Sequence, residues 1–173
     1  FDQNLTFRLA SGLYYQSPFY KELRTTVQDE YGNSIIQLNE NLKSQRSIHV
    51  IAGGDYTFRA SGRNFKLSAD MYYKKLDNLN PYTVDNVKIR YYGENCAQGH
   101  AMGLDVKFFG EFVPGTDSWI SFSLMKAEQS IRGSKYVPMP NSQGYNVSVF
   151  FQDYFPGYKR VKLNLKGVLS GGL

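Results

Sequence analysis

The chain has 173 residues, a net charge of +5 and 16% aromatic content, with 14 Tyr and 12 Phe. Its length allows a sizeable apolar core. The single cysteine, Cys96, excludes an intrachain disulfide framework and a multi-cysteine zinc site, and two histidines are too few for most histidine-based metal centres. The basic residues are spread along the chain, which reads as solubilising charge and not as a nucleic-acid-binding stripe.

No apolar run reaches the roughly 18 residues of a transmembrane helix. Barrel strands need only about 9–11 residues and leave a weaker trace. No leader-peptide pattern opens the chain, and the start at Phe1, almost at a strand, points to a partial polypeptide.

The first strand is expected over Asn4–Gln16. Leu5, Phe7, Leu9, Leu13 and Tyr15 alternate with Thr6, Arg8, Ala10, Gly12, Tyr14 and Gln16, which gives one apolar and one polar face. Pro18 ends it, and a long polar connection runs to Arg46. Within that connection Ile35, Leu38 and Leu42 have helical spacing, so a short helix is expected over Ser34–Lys43.

The second strand, Ser47–Arg59, places Ile48, Val50, Ala52, Tyr56 and Phe58 on one face. The turn signal at Ala60–Asn64 makes the third strand, Asn64–Lys75, its hairpin partner. There Phe65, Leu67, Ala69, Met71 and Tyr73 alternate with Lys66, Ser68, Asp70, Tyr72 and Lys74. A second long connection, Leu76–Ala97, contains a candidate short strand over Asn86–Tyr92.

The fourth strand, Gln98–Phe112, and the fifth, Ser118–Glu128, flank a Pro-Gly turn at Val113–Asp117. Ile131–Gln143 is a third connection, with Pro138 and Pro140 set against regular structure. The sixth strand, Gly144–Tyr154, and the seventh, Lys159–Leu169, flank a turn at Pro156-Gly157.

Long polar connections thus alternate with short Gly- or Pro-containing turns. In an antiparallel meander all long loops then leave one end and all tight turns the other. That is the pattern of an outer-membrane barrel, with short periplasmic turns and long external loops. The fold expected is all-β, an antiparallel up-and-down meander of seven long strands forming part of a transmembrane β-barrel.

A soluble ligand-binding barrel of the lipocalin type, or a non-transporting outer-membrane protein, are the alternatives. The soluble barrel requires the opposite orientation, with Leu5, Leu67, Leu104 and Leu163 converging inside a closed cavity. Bulky Tyr72, Phe109 and Trp119 among the charges of the polar face suit a crowded, partly wet lumen. Aromatic pairs near strand ends, Tyr14-Tyr15, Tyr72-Tyr73, Phe108-Phe109 and Phe150-Phe151, suit interfacial girdles.

The segments RLASGLYYQSPFYKEL (8–23), LKSQRSIHVIAGGDYTF (42–58), MYYKKLDNLNPY (71–82), VKIRYYGENCAQGHAMGLD (87–105), FFGEFVPGTDSWISFSLMKAE (108–128) and YNVSVFFQDYFPG (145–157) resemble the barrel of TonB-dependent outer-membrane receptors of Bacteroidetes-type bacteria. The stretch around Gly99, Met102, Gly103 and Leu104 is similar to the small-residue-then-Gly-Leu-Asp start of a barrel strand in that family.

The resemblance implies a location in the bacterial outer membrane and a barrel of about 22 strands. It also implies a plug inside the barrel and TonB-coupled uptake of a scarce nutrient. The expected partners are outer-membrane lipid, the rest of the barrel, its plug, and TonB through that plug. A surface lipoprotein is a further candidate; nucleic acid and cofactors are not expected.

The sequence departs from the family in having seven strands, no plug, no TonB box and no terminal aromatic strand end. It therefore reads as a piece of the later barrel that does not transport alone and whose open edges favour self-association.

No GxSxG, HExxH or P-loop motif is present, so no enzymatic activity is expected. His49 reads as a polar lumen residue, His100 as loop filler and Cys96 as a free thiol in an external loop. The acidic residues Asp29, Glu30, Asp77, Asp85 and Glu94 lack calcium-loop spacing. Aromatic and Arg-rich loops suit capture of an organic ligand by stacking and charge-assisted bonds, which selects Tyr20, Tyr82, Arg90, Tyr91 and Tyr92 as candidate ligand-binding residues.

Overall fold

The structure, a computed structural model, describes residues 4–28, 31, 33–140 and 142–172. It is all-β, with 72% of residues in strands and 2% in helix. The elements in chain order are β1 (Leu5–Gln16), α1 (Tyr20–Leu23), β2 (Arg24–Gln28), β3 (Ser34–Leu38), β4 (Gln45–Ala60), β5 (Arg63–Leu79) and β6 (Tyr82–Asp85). They continue with β7 (Lys88–Tyr91), β8 (Ala97–Gly110), β9 (Ser118–Ile131), β10 (Val137–Pro138), β11 (Gln143–Phe155) and β12 (Tyr158–Gly172).

The seven long strands form one antiparallel meander in the order β1-β4-β5-β8-β9-β11-β12, with β10 added beside β9. The sheet is not closed, and β1 and β12 are its edges.

The strict two-residue alternation fixes the register, because a slip by one would turn every apolar residue to the other face. Phe7 lies opposite Gly54, and the same row continues through Ala69, Val106, Phe122, Val147 and Leu169. Leu9, Ala52, Met71, Leu104, Leu124 and Tyr145 form the next row.

Ser61 and Gly62 both have positive φ, 51° and 76°, which is the tight hairpin turn whose twist matches the strands it joins. The β11–β12 turn differs: only Gly157, at φ 80°, has positive φ, after a proline whose ring keeps φ negative.

Two expectations are corrected, and a third is met. Residues 34–43 do not form a helix: Ser34–Leu38 is β3, paired with β2. The adjacent β-branched pair Ile35-Ile36 favours a pleated partner, and β2 supplies one. The Pro138 region is not wholly irregular, since Val137 and Pro138 pair with Gln129 and Glu128; Pro is tolerated there because the segment sits at an edge. The candidate short strand near 86–92 is β7, and its partner β6 was not anticipated.

The length suggested a sizeable core, and here too the structure differs. Among the described residues the buried apolar side chains are Leu42, Ala97, Ala101 and Ala127. Most of the large aliphatic side chains of the long strands lie on one uncovered face; Leu9 is 80% exposed. No described helix is long and apolar enough to cross a membrane, which bears on helices alone.

Candidate functional site

The two faces of the sheet have opposite chemistry, and on β5, β9 and β11 their exposure is inverted relative to a water-soluble sheet. In β5, Leu67, Ala69, Met71 and Tyr73 are exposed, while Lys66, Ser68, Asp70, Tyr72 and Lys74 are half-buried. In β9, Ile120, Phe122 and Leu124 are exposed, while Trp119, Ser121, Ser123 and Met125 are half-buried. β11 repeats this, with Tyr145 and Phe151 exposed and Asn146, Ser148 and Phe150 sheltered. On these three strands the polar face is the sheltered one, whereas on β8 Asp105, Lys107 and Phe109 are exposed while Val106 and Phe108 are half-buried.

Leu5, Leu67, Leu104 and Leu163 are 37%, 40%, 36% and 49% exposed, so they do not converge in a closed cavity.

The polar face is crossed by an ion-pair network. Arg8 on β1 pairs with Asp55 on β4 and donates to Asp70 on β5 at 2.9 and 3.1 Å. Asp55 also takes Lys66 Nζ at 3.2 Å and the Ser68 hydroxyl at 2.6 Å. The register makes this possible: Arg8 lies opposite Gly53, whose missing side chain leaves the Asp70 carboxylate room to reach across. Further along, Lys107 Nζ sits 4.9 Å from the centre of the Trp119 ring, which stacks on Phe150 at 6.0 Å.

All long connections leave one end of the sheet and pack on one another. Asn39 Nδ2 donates to the Gly93 carbonyl at 2.6 Å, and Asn95 Nδ2 donates to the carbonyls of Lys43 and Asn78 at 2.9 and 2.7 Å. Arg132 donates to Glu94 at 2.8 Å, tying in the third connection; that carboxylate pushes the guanidinium pKa up.

The α1 turn is closed by Glu22, whose carboxylate accepts from the Phe19 N–H at 2.8 Å and from Gln45 Nε2 at 3.3 Å. Buried Asn80 accepts from the Gly93 N–H at 3.0 Å, but its Nδ2 has no partner. Sequence reasoning did not select these asparagines, because their partners are main-chain groups distant in the chain, nor Glu22, which bonds the Phe19 N–H and the Gln45 side chain.

The selected loop residues are partly brought together. Tyr82 and Tyr91 face each other across the β6–β7 hairpin, with ring centres 5.8 Å apart. Burial pushes the Tyr91 phenol pKa up, and the Glu22 carboxylate adds to it, so α1 lies close by. Tyr92 follows directly, its N–H bonded to the Pro81 carbonyl at 2.9 Å.

Arg90 is registered with Thr83, on the opposite face of the hairpin from the tyrosines, and pairs with Asp85 at 3.1 Å. Tyr20 is exposed on α1.

Asn86 and Val87 turn the hairpin with φ of 44° and 70°. Val87 is 94% exposed, so no packing favours its branched side chain in this left-handed geometry. Val87→Gly is expected to stabilise the hairpin by about 1 kcal/mol. Slower amide exchange across Tyr82–Tyr91 is the readout; unchanged or faster exchange would count against the strain.

His100 is a strand residue, not loop filler. It lies on β8 with Nε2 3.4 Å from Glu128 Oε2, between the rings of Tyr73 and Tyr136. Cys96 is a free, half-buried thiol just before β8, and its carbonyl accepts from the Arg132 N–H at 2.7 Å. Asp29 and Glu30 lie outside the described residues.

Among the described residues no group of three or more His, Cys, Asp or Glu side chains could hold a metal ion. No protein-family model, curated protein or solved structure matches the chain.

Proposed function

We propose that the chain is a segment of an outer-membrane receptor barrel of the TonB-dependent type, acting in nutrient uptake. Its apolar face meets lipid, its polar face lines the lumen, and its long connections lie at the cell surface. Completion of the barrel, the plug and TonB are the partners this reading requires, and a surface lipoprotein is a candidate at the loops. Tyr82, Tyr91 and Tyr92 are the ligand contacts it favours, with Tyr20 nearby.

The observation that carries the reading is the uncovered apolar face. An uncovered apolar face spanning seven strands is far larger than a soluble monomer leaves to water, and lipid removes the difficulty. On β5 the apolar stretch runs from Phe65 to Tyr73, nine residues, close to the roughly 9–11 that span a bilayer.

Rings gather at both limits of that stretch. Phe58, Phe65 and Phe108 stack at the turn end with centres 5.6 to 6.3 Å apart. Tyr73, His100 and Tyr136 gather at the loop end. Each doublet read as a girdle divides, because neighbours point to opposite faces: Tyr73 and Phe108 join the apolar face, and Tyr72 and Phe109 the polar one.

The upper limit of the apolar face is also slanted. The first charged side chain on that face is Arg46 on β4, in the row of Asp77. On β5 and β8 it is Lys75, with His100 beside it, one row lower. On β9 it is Lys126, in the row of Met102 and Tyr73, lower again. A level boundary drawn across strands falls by rather more than one residue per strand when they tilt by roughly 40°, the tilt of outer-membrane barrels.

Trp119, the sole tryptophan, is the reporter for a test. It lies on the polar face, while Phe122 lies on the apolar one. In vesicles of brominated phosphatidylcholine, wild-type emission is expected to survive. The Trp119→Phe/Phe122→Trp double variant is expected to be quenched. Equal quenching, or purification as a monomer in plain buffer without detergent, would overturn the proposal and favour a soluble ligand-binding barrel.

A further inference from the structure

A concavity of about 350 Å³ opens where β1, β4 and β5 approach the long connections. Tyr14, Ser47, His49 and Lys74 bring its chemistry together on the polar face, and Gln16 and Gln45 close it at the strand ends.

The register explains the convergence. Tyr14 lies opposite Ser47, and Gly12 opposite His49, which itself lies opposite Lys74. Gly12 leaves its own place vacant, and the Tyr14 ring folds back into it. A Cβ at residue 12 would come within 2.6 Å of that ring. The ring thereby meets the His49 imidazole at a centre distance of 4.6 Å, tilted by 36°.

Two groups in this pocket are unfinished. Ser47 Oγ is buried and, among the described residues, has no hydrogen-bond partner. Such an atom costs free energy unless something completes it. Lys74 is the other. Its neighbours Lys66 and Lys75 pair with Asp55 and Asp77. Among the described residues Lys74 has no carboxylate partner, and its Nζ lies 5.5 Å from the centre of the Tyr72 ring. Arg46 and Tyr15 also line the pocket but belong to the apolar face, where Arg46 is paired with Asp77, and Gln45 Nε2 donates to Glu22. On the polar face the polar groups of the lining are a cation, two hydroxyls, an imidazole and two amides, with no carboxylate among them. Such a surface recognises an oxyanion.

We propose that this pocket binds a small organic anion through a carboxylate or phosphate group. Lys74 supplies the charge, Ser47 Oγ donates a hydrogen bond, and the Tyr14–His49 pair forms the wall against which the rest of the ligand packs. The proposal deepens the uptake reading by naming the class of cargo, and it rests on that reading for the pocket's place on a transport path.

The two histidines make the test direct. Protein labelled with ¹⁵N-histidine in detergent micelles is titrated with citrate, with glucose 6-phosphate and with neutral glucose. His49→Asn assigns the two ring signals. At least one anion is expected to move the His49 resonances saturably while His100 stays in place and glucose does nothing. A response to citrate alone identifies a carboxylate site, and a response to glucose 6-phosphate alone a phosphate site.

Lys74→Gln should weaken that binding about tenfold, the loss of one charge-assisted bond, with unchanged His100 signals showing that the fold persists. Absence of a saturable His49 shift with either anion, an equal response to glucose, or full binding by Lys74→Gln overturns the proposal. The brominated-lipid result is independent of these readings, so failure of the anion site and failure of the membrane assignment are told apart.

Discussion

Leu104→Arg is expected to cost about 2–4 kcal/mol of stability in lipid vesicles, while Ser123→Arg leaves stability nearly unchanged. Leu104 is in the middle of the apolar face, in the row from Leu9 to Tyr145. An arginine there must enter the hydrocarbon or drag headgroups and water inward, and both are costly. Ser123 is on the other face, registered with Asp105, where a guanidinium finds a carboxylate and solvent.

Urea titration from vesicles, read by Trp119 emission, measures the difference. If the apolar face meets water instead, the ranking collapses. Leu104 is already 36% exposed, and surface substitutions away from special features shift stability by no more than about 0.5 kcal/mol. Equal midpoints for the two variants would therefore remove lipid from the account.

Gly103→Val should destabilise the sheet by about 3 kcal/mol, the upper range for forcing extra volume into a packed site. A Cβ at residue 103 would lie 2.5 Å from the Leu124 carbonyl oxygen and 2.5 Å from the Tyr72 hydroxyl. The tyrosine arises from β5 directly opposite Gly103, and its ring covers the glycine that β8 leaves bare. Adding Tyr72→Ala to Gly103→Val should recover only part of the loss, because the carbonyl belongs to β9 and cannot step aside. Full recovery in the double variant would place the whole clash on the phenol. The same titration separates these outcomes, and Gly103→Ala should rank between wild type and valine.

Most of the sheet could be read from the sequence because its signal is local and repetitive. Phe65, Leu67, Ala69, Met71 and Tyr73 alternate with Lys66, Ser68, Asp70, Tyr72 and Lys74, and the observed β5 contains all of them. The polar tail of β5 was missed because Asp77 and Asn78 carry no apolar pattern, and an irregularity between Leu76 and Leu79 breaks the count of two. The β2–β3 hairpin was misread because Ile35, Leu38 and Leu42 satisfy a helical spacing, and only a partner strand decides between helix and pleat.

The candidate site was less legible for a related reason. Tyr82 and Tyr91 were selected as exposed loop aromatics, but their pairing needs the turn at Asn86-Val87. Arg90 was selected with them for charge-assisted bonds, yet as the strand neighbour of Tyr91 it points to the other face of the hairpin. The Arg8–Asp55–Asp70 network could have been found by aligning the β4–β5 hairpin about Ser61-Gly62 and then laying β1 beside it.

The meander has a temporal consequence as well. Each long strand pairs with the long strand before it in the chain, and the turns at Ser61-Gly62 and Pro156-Gly157 join partners with almost no intervening chain. A sheet wired in this way requires little loop closure before its contacts form. The β4–β5 and β11–β12 hairpins can therefore close early. β1 must wait for the connection carrying α1, β2 and β3 to fold back before it meets β4. Assembly then proceeds one neighbour at a time, from each hairpin outward to the edges at β1 and β12.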